Sequence, residues 1–366
     1  MSEELESIYC RDREVWDSCA ATYEKSIVGG HPEVTAYEAF EEDFIDQILL
    51  YLIRDRRQAV QLFDVGCGSA RLHLRYGLKA INARTLPHDL ISRVLQARTG
   101  NPSYTYDPYY AEGLRCIGGV DFSAEMIALA KKKLSAAGLG NWIGSRLRFQ
   151  EGSAFDLEPM ESDLLPVVVT VCNSVGVMQG PLGAMELFQA MRRAAEEAGG
   201  IAVISGYRKE SVETFALGNY ESTMNVCGQP RWLEPKTYAA PDYVQVPRAY
   251  KRAYDTDPTV TVEVFETNGT LIEEAYVLKR DPAKVAETIE TGHIRTHTDY
   301  ESYWYSFEQF DQWIAEYWPN GSVYHIAARD LDVLRGEPAQ LAILDCGDRL
   351  RGLSNRWGAD PHVQHS

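Results

Sequence analysis

Leu62-Phe63-Asp64-Val65-Gly66-Cys67-Gly68-Ser69-Ala70-Arg71 is the stretch that decides how this chain folds. An apolar run ends in an acid and two closely spaced glycines, and a helix-compatible segment follows. Residues 58–63 are expected to form a buried strand and residues 64–70 the tight turn after it. Side chains at positions 66 and 68 would hold the backbone away from a ligand, whereas glycine lets it come close and take positive φ. The first strand-to-helix turn of an open parallel sheet is where such folds bind nucleotides. A dinucleotide-binding turn would carry a third glycine where Arg71 stands, and the pyrophosphate it grips prefers no acid just before the glycines. Asp64 points instead to a ligand that presents a cation.

Three further segments follow in order. In Cys116-Ile117-Gly118-Gly119-Val120-Asp121-Phe122-Ser123-Ala124-Glu125-Met126-Ile127, an acid stands at a strand tip. A carboxylate there matches a ribose diol, because each oxygen takes one O–H. Ser123 reads as the N-cap of a helix over residues 125–134. Arg148-Phe149-Gln150-Glu151-Gly152-Ser153-Ala154-Phe155-Asp156-Leu157 reads as a strand and its loop. Pro166-Val167-Val168-Val169-Thr170-Val171-Cys172-Asn173-Ser174-Val175-Gly176 is a β-branched run suited to a strand buried on both faces, ending in small polar residues.

Asp64-Val65-Gly66-Cys67-Gly68-Ser69-Ala70 resembles the first motif of the class I S-adenosylmethionine-dependent methyltransferases, with Ala70 in place of the usual third glycine. The other segments fall in that family's order, and the resemblance covers residues 64–207. It implies an α/β, Rossmann-like methyltransferase fold: a mostly parallel seven-stranded sheet with helices on both faces, here with an antiparallel β lobe added. It implies S-adenosylmethionine as cofactor, whose ammonium and sulfonium suit Asp64. Asp64, Gly66 and Gly68 would then hold the cofactor and Asp121 its ribose. Phe122 and Met126 would flank the adenine or belong to the core. Ser153 stands where many members carry an acid that reads the adenine amino group; its hydroxyl, the backbone of Ala154 and Phe155, or Asp156 would take that place. The tip of the fourth strand faces the transferable methyl group in the family, so Asn173 would bind the aminoacyl end of the cofactor or the acceptor. Residues 199–207 read as the fifth strand, putting Tyr207 at the mouth of an acceptor pocket. Near the start, Trp16, Ala20 and Tyr23 share a helical face, as in the lid of many small-molecule methyltransferases; Tyr23 touches cofactor or acceptor, or the stripe is core.

With 366 residues and 45% hydrophobic content, the chain can bury one large domain plus a lobe. A net charge of −17 argues against nucleic acid as a partner. The basic clusters at 54–57 and 131–133 read as solvated helix faces. Seven cysteines without a C-x-x-C pair point to free thiols, a cytoplasmic location and no metal site, with Cys67 as a packing residue. No run of 18 apolar residues occurs and the first residues are acidic and polar, so no membrane partner is expected. A small-molecule acceptor is the expected partner, with a homodimer left open.

Four regions are expected. Residues 1–58 form an N-terminal helical lid, and 59–207 the cofactor-binding core with a tyrosine-rich insertion at about 78–113. Residues 208–305 form a β-rich lobe covering the substrate; its hairpin is signalled by two β-rich runs around Asn268-Gly269. Residues 306–366 complete the core sheet with a helix over 306–317 and a last apolar strand, 341–344, at the sheet edge.

Methyl transfer from a sulfonium is an in-line displacement, so alignment in a dry pocket supplies much of the acceleration. A base matters only for an acceptor that starts protonated. In the segment 291–300, strand alternation puts His293, Arg295 and His297 on one face, and these histidines, with Tyr207, are the catalytic candidates. A solvent-facing role for the histidines is the plain alternative. Trp304 could stack on a planar or cationic acceptor, or anchor the following helix. The leading expectation is N- or O-methylation of a small molecule. The alternatives are non-methyl transfer with the same cofactor and a non-catalytic partner subunit.

Overall fold

The apolar residues of β1 (Val60–Val65) lie at the centre of a seven-stranded sheet because they are flanked on both sides by equally apolar parallel strands. Here β1 pairs with β2 (Leu114–Asp121) and with β4 (Leu165–Thr170), and Asp64 faces Gly119 on one side and Val169 on the other. The strand starts and ends two residues later than expected, since Asp64 still belongs to both ladders. The computed structural model describes Arg13, Trp16, Asp17, Ala20 and residues 32–81, 107–160, 163–172, 174–178, 180–208, 236–237, 243–250, 262–267, 270–275, 300–327 and 339–357.

The strand order is β11-β12-β5-β4-β1-β2-β3, with β3 at Leu147–Glu151, β5 at Ile201–Tyr207, β11 at Ser322–Ala327 and β12 at Ala339–Asp345. The first five strands run parallel, and β12 runs antiparallel to both of its neighbours, β5 and β11. This corrects one expectation: residues 341–344 do not form the sheet edge. Leu341, Ala342, Ile343 and Leu344 are buried with a strand paired on each side, and the edge falls to β11, which the sequence reading did not anticipate. The rest is the Rossmann-like methyltransferase arrangement that the sequence implied.

Strands buried on both faces need helices on both faces. On one side, α1 (Pro32–Leu50), α2 (Arg71–Ala80) and α3 (Pro108–Gly113) pack on the sheet; on the same side lie Ala130 and Leu134 of α4 (Ala124–Ala136) and Leu353 of the last helix. On the other side, α5 (Gly180–Glu196) and α6 (Phe307–Tyr317) meet through Phe188, Phe310 and Trp313, and the Trp318 indole N–H donates to Phe188 O at 2.8 Å. Helix α2 already includes Leu78 and α3 ends at Gly113, so the ends of the expected insertion are helical, while 82–106 lie outside the described residues.

A second, antiparallel sheet has the order β10-β7-β8-β9, with β7 at Tyr243–Tyr250, β8 at Val262–Thr267, β9 at Thr270–Ala275 and β10 at Tyr300–Tyr305. A short β6 (Lys236–Thr237) pairs with β7. The expected hairpin is present, with Thr267 opposite Thr270. This lobe joins the core at Gln340, whose buried amide donates to Tyr305 O (2.9 Å) and Tyr207 O (3.4 Å) and faces the ring of His325 at 3.1 Å. The other ring nitrogen of His325 meets Asp311 at 2.7 Å, and Phe307 stacks on the ring.

Candidate cofactor site

The chain leaves β1 through a turn with three left-handed residues: Gly66 (φ 75°), Gly68 (φ 48°) and Ala70 (φ 65°). The N–H groups of Gly66 and Cys67 both donate to Val120 O, at 2.9 and 3.0 Å, so the turn is pinned to the end of β2. At Gly66 a side chain is disfavoured chiefly by the backbone. Its φ is unfavourable for any L side chain, and an added Cβ would sit 2.8 Å from Met178 Cε. Ala70 shows that the third position tolerates a methyl group in the left-handed region, at a cost of about 1–2 kcal/mol.

Asp121, at the end of β2, closes the other side. Its two oxygens accept from Gly68 N–H (2.8 Å) and Ser123 N–H (2.9 Å), leaving lone pairs on both for a ligand. Burial pushes its pKa up to about 6 against the pull of those N–H groups. Ser123 is the N-cap of α4, accepting from Met126 N–H at 3.1 Å, and its hydroxyl donates to Asp17 of the N-terminal segment at 2.5 Å. Arg13 pairs with Glu151 beside it.

Asp64 lies behind the turn, 2% exposed, and its Oδ1 has no hydrogen-bond partner among the described residues. Burial raises its pKa to about 7; nearby Arg71 opposes this, and Asp121 and Glu41 add to it. A buried carboxylate oxygen left open is costly and marks a place for a cation or donor. Burial also pushes the Cys67 thiol well up, in keeping with a packing role.

Beside the turn opens a cleft lined by Gly66, Val120, Asp121, Phe122, Gly152, Ala154, Phe155 and Met178; Asp64 and Gly68 are not among its lining residues. Its walls are apolar except at Asp121. Such a slot with one convergent acid suits a planar base carrying a ribose. The Ser153 hydroxyl accepts from Phe155 N–H at 3.1 Å, so it closes its own loop. Met126 is buried in the first turn of α4 and is not among the lining residues.

Beyond the cleft, β4 ends beside the turn: the Thr170 hydroxyl donates to Val65 O at 3.0 Å, and Cys172 takes a left-handed φ of 58°. Tyr207 is buried at the end of β5. Trp304 lies in β10 opposite Val244. Tyr23, Asn173, His293 and His297 lie outside the described residues, and Trp16 and Ala20 are helical with Ala20 buried.

Sequence reasoning missed Met178 and a ladder of ion pairs between α1 and α2. Arg71 pairs with Glu41 (2.7 Å), Arg75 with Glu42 and Asp46 (2.6 Å each), and Lys79 with Asp46 (2.7 Å). Burial raises the Glu41 and Glu42 pKa values, while Asp46, against its own desolvation, is held low by Arg75 and Lys79. The available signal was the i, i+4, i+8 spacing of Arg71, Arg75 and Lys79 opposite acids at helical spacing in α1.

No family model and no curated protein matches the chain. Among solved structures it is similar to an S-adenosylmethionine-dependent methyltransferase from Clostridium acetobutylicum, at 11% identity over 90% of this chain and 97% of that one, TM-score 0.40. It is also similar to the CcbJ methyltransferase from Streptomyces caelestis (13% identity, 86% and 95% covered, TM-score 0.40) and to DesVI from Streptomyces venezuelae (14%, 88% and 97%, TM-score 0.38). These likenesses are too distant to assign an activity. The strand order and the turn after β1 carry the fold, which is that of the class I methyltransferases.

Proposed function

We propose that this chain is an S-adenosylmethionine-dependent methyltransferase acting on a small-molecule acceptor, at nitrogen or oxygen. One observation carries the reading: Asp121 braces the glycine turn through Gly68 N–H and stands at the mouth of an apolar cleft formed by Gly66, Phe122, Ala154 and Phe155. A nucleoside fits that combination, and the open oxygen of Asp64 fits a ligand that also bears a cation.

When bound, the cofactor would supply an electrophilic methyl group on sulfur. The residues of this chain would hold and orient it: Asp121 the ribose hydroxyls, Phe122, Ala154 and Phe155 the adenine, Asp64 the ammonium, and the backbone at Gly66 and Gly68 the close approach. The acceptor would enter at the carboxyl ends of β4 and β5, near Asn173 and Tyr207, with the antiparallel lobe as its cover. Tyr23 and Trp304 are further acceptor candidates, and His293 or His297 would take a proton where the acceptor carries one. The lobe's junction with the core at Gln340 supports this placement, because it sets β10 beside the end of β5.

The test has two stages. Titration calorimetry with S-adenosylmethionine and S-adenosylhomocysteine reads cofactor binding. A screen of candidate metabolites for S-adenosylhomocysteine release then finds the acceptor. Absence of saturable binding overturns the reading.

A further inference from the structure

Among the described residues, four besides glycine take positive φ, and two of these, Ala70 and Cys172, stand at the two turns beside the cofactor cleft. One side chain from a third element reaches both turns. Glu41 of α1 is 0% exposed, and its Oε1 accepts from the backbone N–H of Cys172 at 2.7 Å. Its Oε2 accepts from Nη2 of Arg71, the residue after Ala70, also at 2.7 Å. The Ser205 hydroxyl of β5 adds a third bond. A single buried carboxylate therefore ties the end of β1, the end of β4 and β5 to one helix. Non-glycine residues in left-handed backbone persist only where surrounding contacts over-determine them.

We propose that Glu41 is a positioning residue for the cofactor: it couples the turn at 66–70 to the turn at Cys172, and so fixes the spacing between the nucleoside end of the cleft and the end of β4. This inference rests on the cofactor reading above. Charge-assisted bonds are the strong and directional kind, and an ionised carboxylate accepts at both oxygens at once, as this geometry requires. Glutamine does not reproduce it: the amide oxygen can still accept from Cys172, but the NH2 group then faces the Arg71 guanidinium, donor against donor. The remaining carboxylates around Arg71, Glu38 and Glu42, lie 3.7 and 3.6 Å from Nη1, and neither bonds the Cys172 N–H.

A merely structural ion pair and a positioning link differ in one respect. Buried ion pairs can be replaced by apolar residues of similar volume without loss of stability. The double variant E41M/R71M removes both charges of that pair, leaving Glu42 with Arg75 and Glu38 with the Cys172 thiol, and takes the Glu41 carboxylate away from the Cys172 N–H. S-adenosylhomocysteine binding by calorimetry and thermal melting are measured for wild type, E41Q and E41M/R71M. The expected result is that both variants bind on the order of tenfold more weakly, while E41M/R71M still melts as a cooperatively folded protein. E41Q binding like wild type overturns the proposal. So does a folded E41M/R71M binding with full affinity, since Glu41 is then only a stabilising group. Wild-type protein that binds no S-adenosylhomocysteine overturns the cofactor reading, and this inference with it.

Discussion

If Asp64 holds the cofactor's ammonium as proposed, cofactor affinity depends on pH, with a direction that follows from the burial of the Asp64 carboxyl. Burial pushes the pKa of that carboxyl up to about 7, with Asp121 and Glu41 adding to the rise and Arg71 opposing it. A cationic ligand binds the ionised form, so affinity rises with pH. With that pKa, about one-eleventh of the molecules carry the ionised form at pH 6 and about ten-elevenths at pH 8. When only a fraction of the protein is competent, the apparent Kd rises in inverse proportion, giving binding about tenfold weaker at pH 6. Asp121, titrating at about 6, acts in the same direction and adds about twofold. The assay is calorimetry with S-adenosylhomocysteine, whose ammonium stays protonated across this range, in buffers of different ionisation enthalpy. Wild type should release a proton on binding near pH 6.5. Asp64→Asn should bind more weakly at pH 8, release near pH 6.5 only the roughly one-quarter of a proton due to Asp121, and retain only the twofold dependence that goes with it. A wild-type Kd that is flat from pH 6 to 8, or an Asp64→Asn variant that keeps the tenfold change, would refute the placement of the cation beside Asp64.

The same group acts on stability. Folding raises the Asp64 pKa from 3.8 to about 7, so the folded form holds a proton that the unfolded chain releases. Stability conferred by that proton is full below the unfolded pKa and is lost as pH rises through the folded one, by up to about 4 kcal/mol; urea midpoints of Asp64→Asn should lack this decline between pH 4 and 8. Asp121→Asn leaves an amide between two N–H donors and should weaken cofactor binding by about 10- to 100-fold, with unchanged affinity counting against the ribose role. Gly66→Ala places a side chain at a φ of 75° and should lose about 1–2 kcal/mol in urea unfolding, a backbone cost that shortening Met178 does not relieve. Gln340→Ala strips a buried partner from Tyr305 O, Tyr207 O and His325; a loss of about 2–4 kcal/mol is expected, and a neutral result would show that the lobe does not depend on this junction.

Much of the local geometry around the candidate site was legible because its signals are local. Gly66 and Gly68 announce positive φ by their identity, Ser123 announces a cap by standing three residues before the N–H it accepts from, and the run Val167-Val168-Val169 announces a strand covered on both faces. Met178 was not legible, because it enters the cleft from a different loop with no pattern to mark it. The place of β12 was misjudged for a related reason. An apolar strand of this length fits an edge or an interior position equally well, and only the presence of β11 on its far side decides.

The sequence by itself determined the turn after β1, the acid at the end of β2 and the succession of strands, because backbone conformation, capping and two-sided burial are set by residues within a few positions of one another. Tertiary structure decided which groups share a charge and which turn leans on which. Glu41 meets Cys172 across 131 residues, and the Asp64 carboxyl is buried at the centre of the sheet, between Gly119 and Val169 of the neighbouring strands. A contact of that kind depends on where two distant segments are brought together, and on how far burial strips water from them, and neither is written in the spacing along the chain.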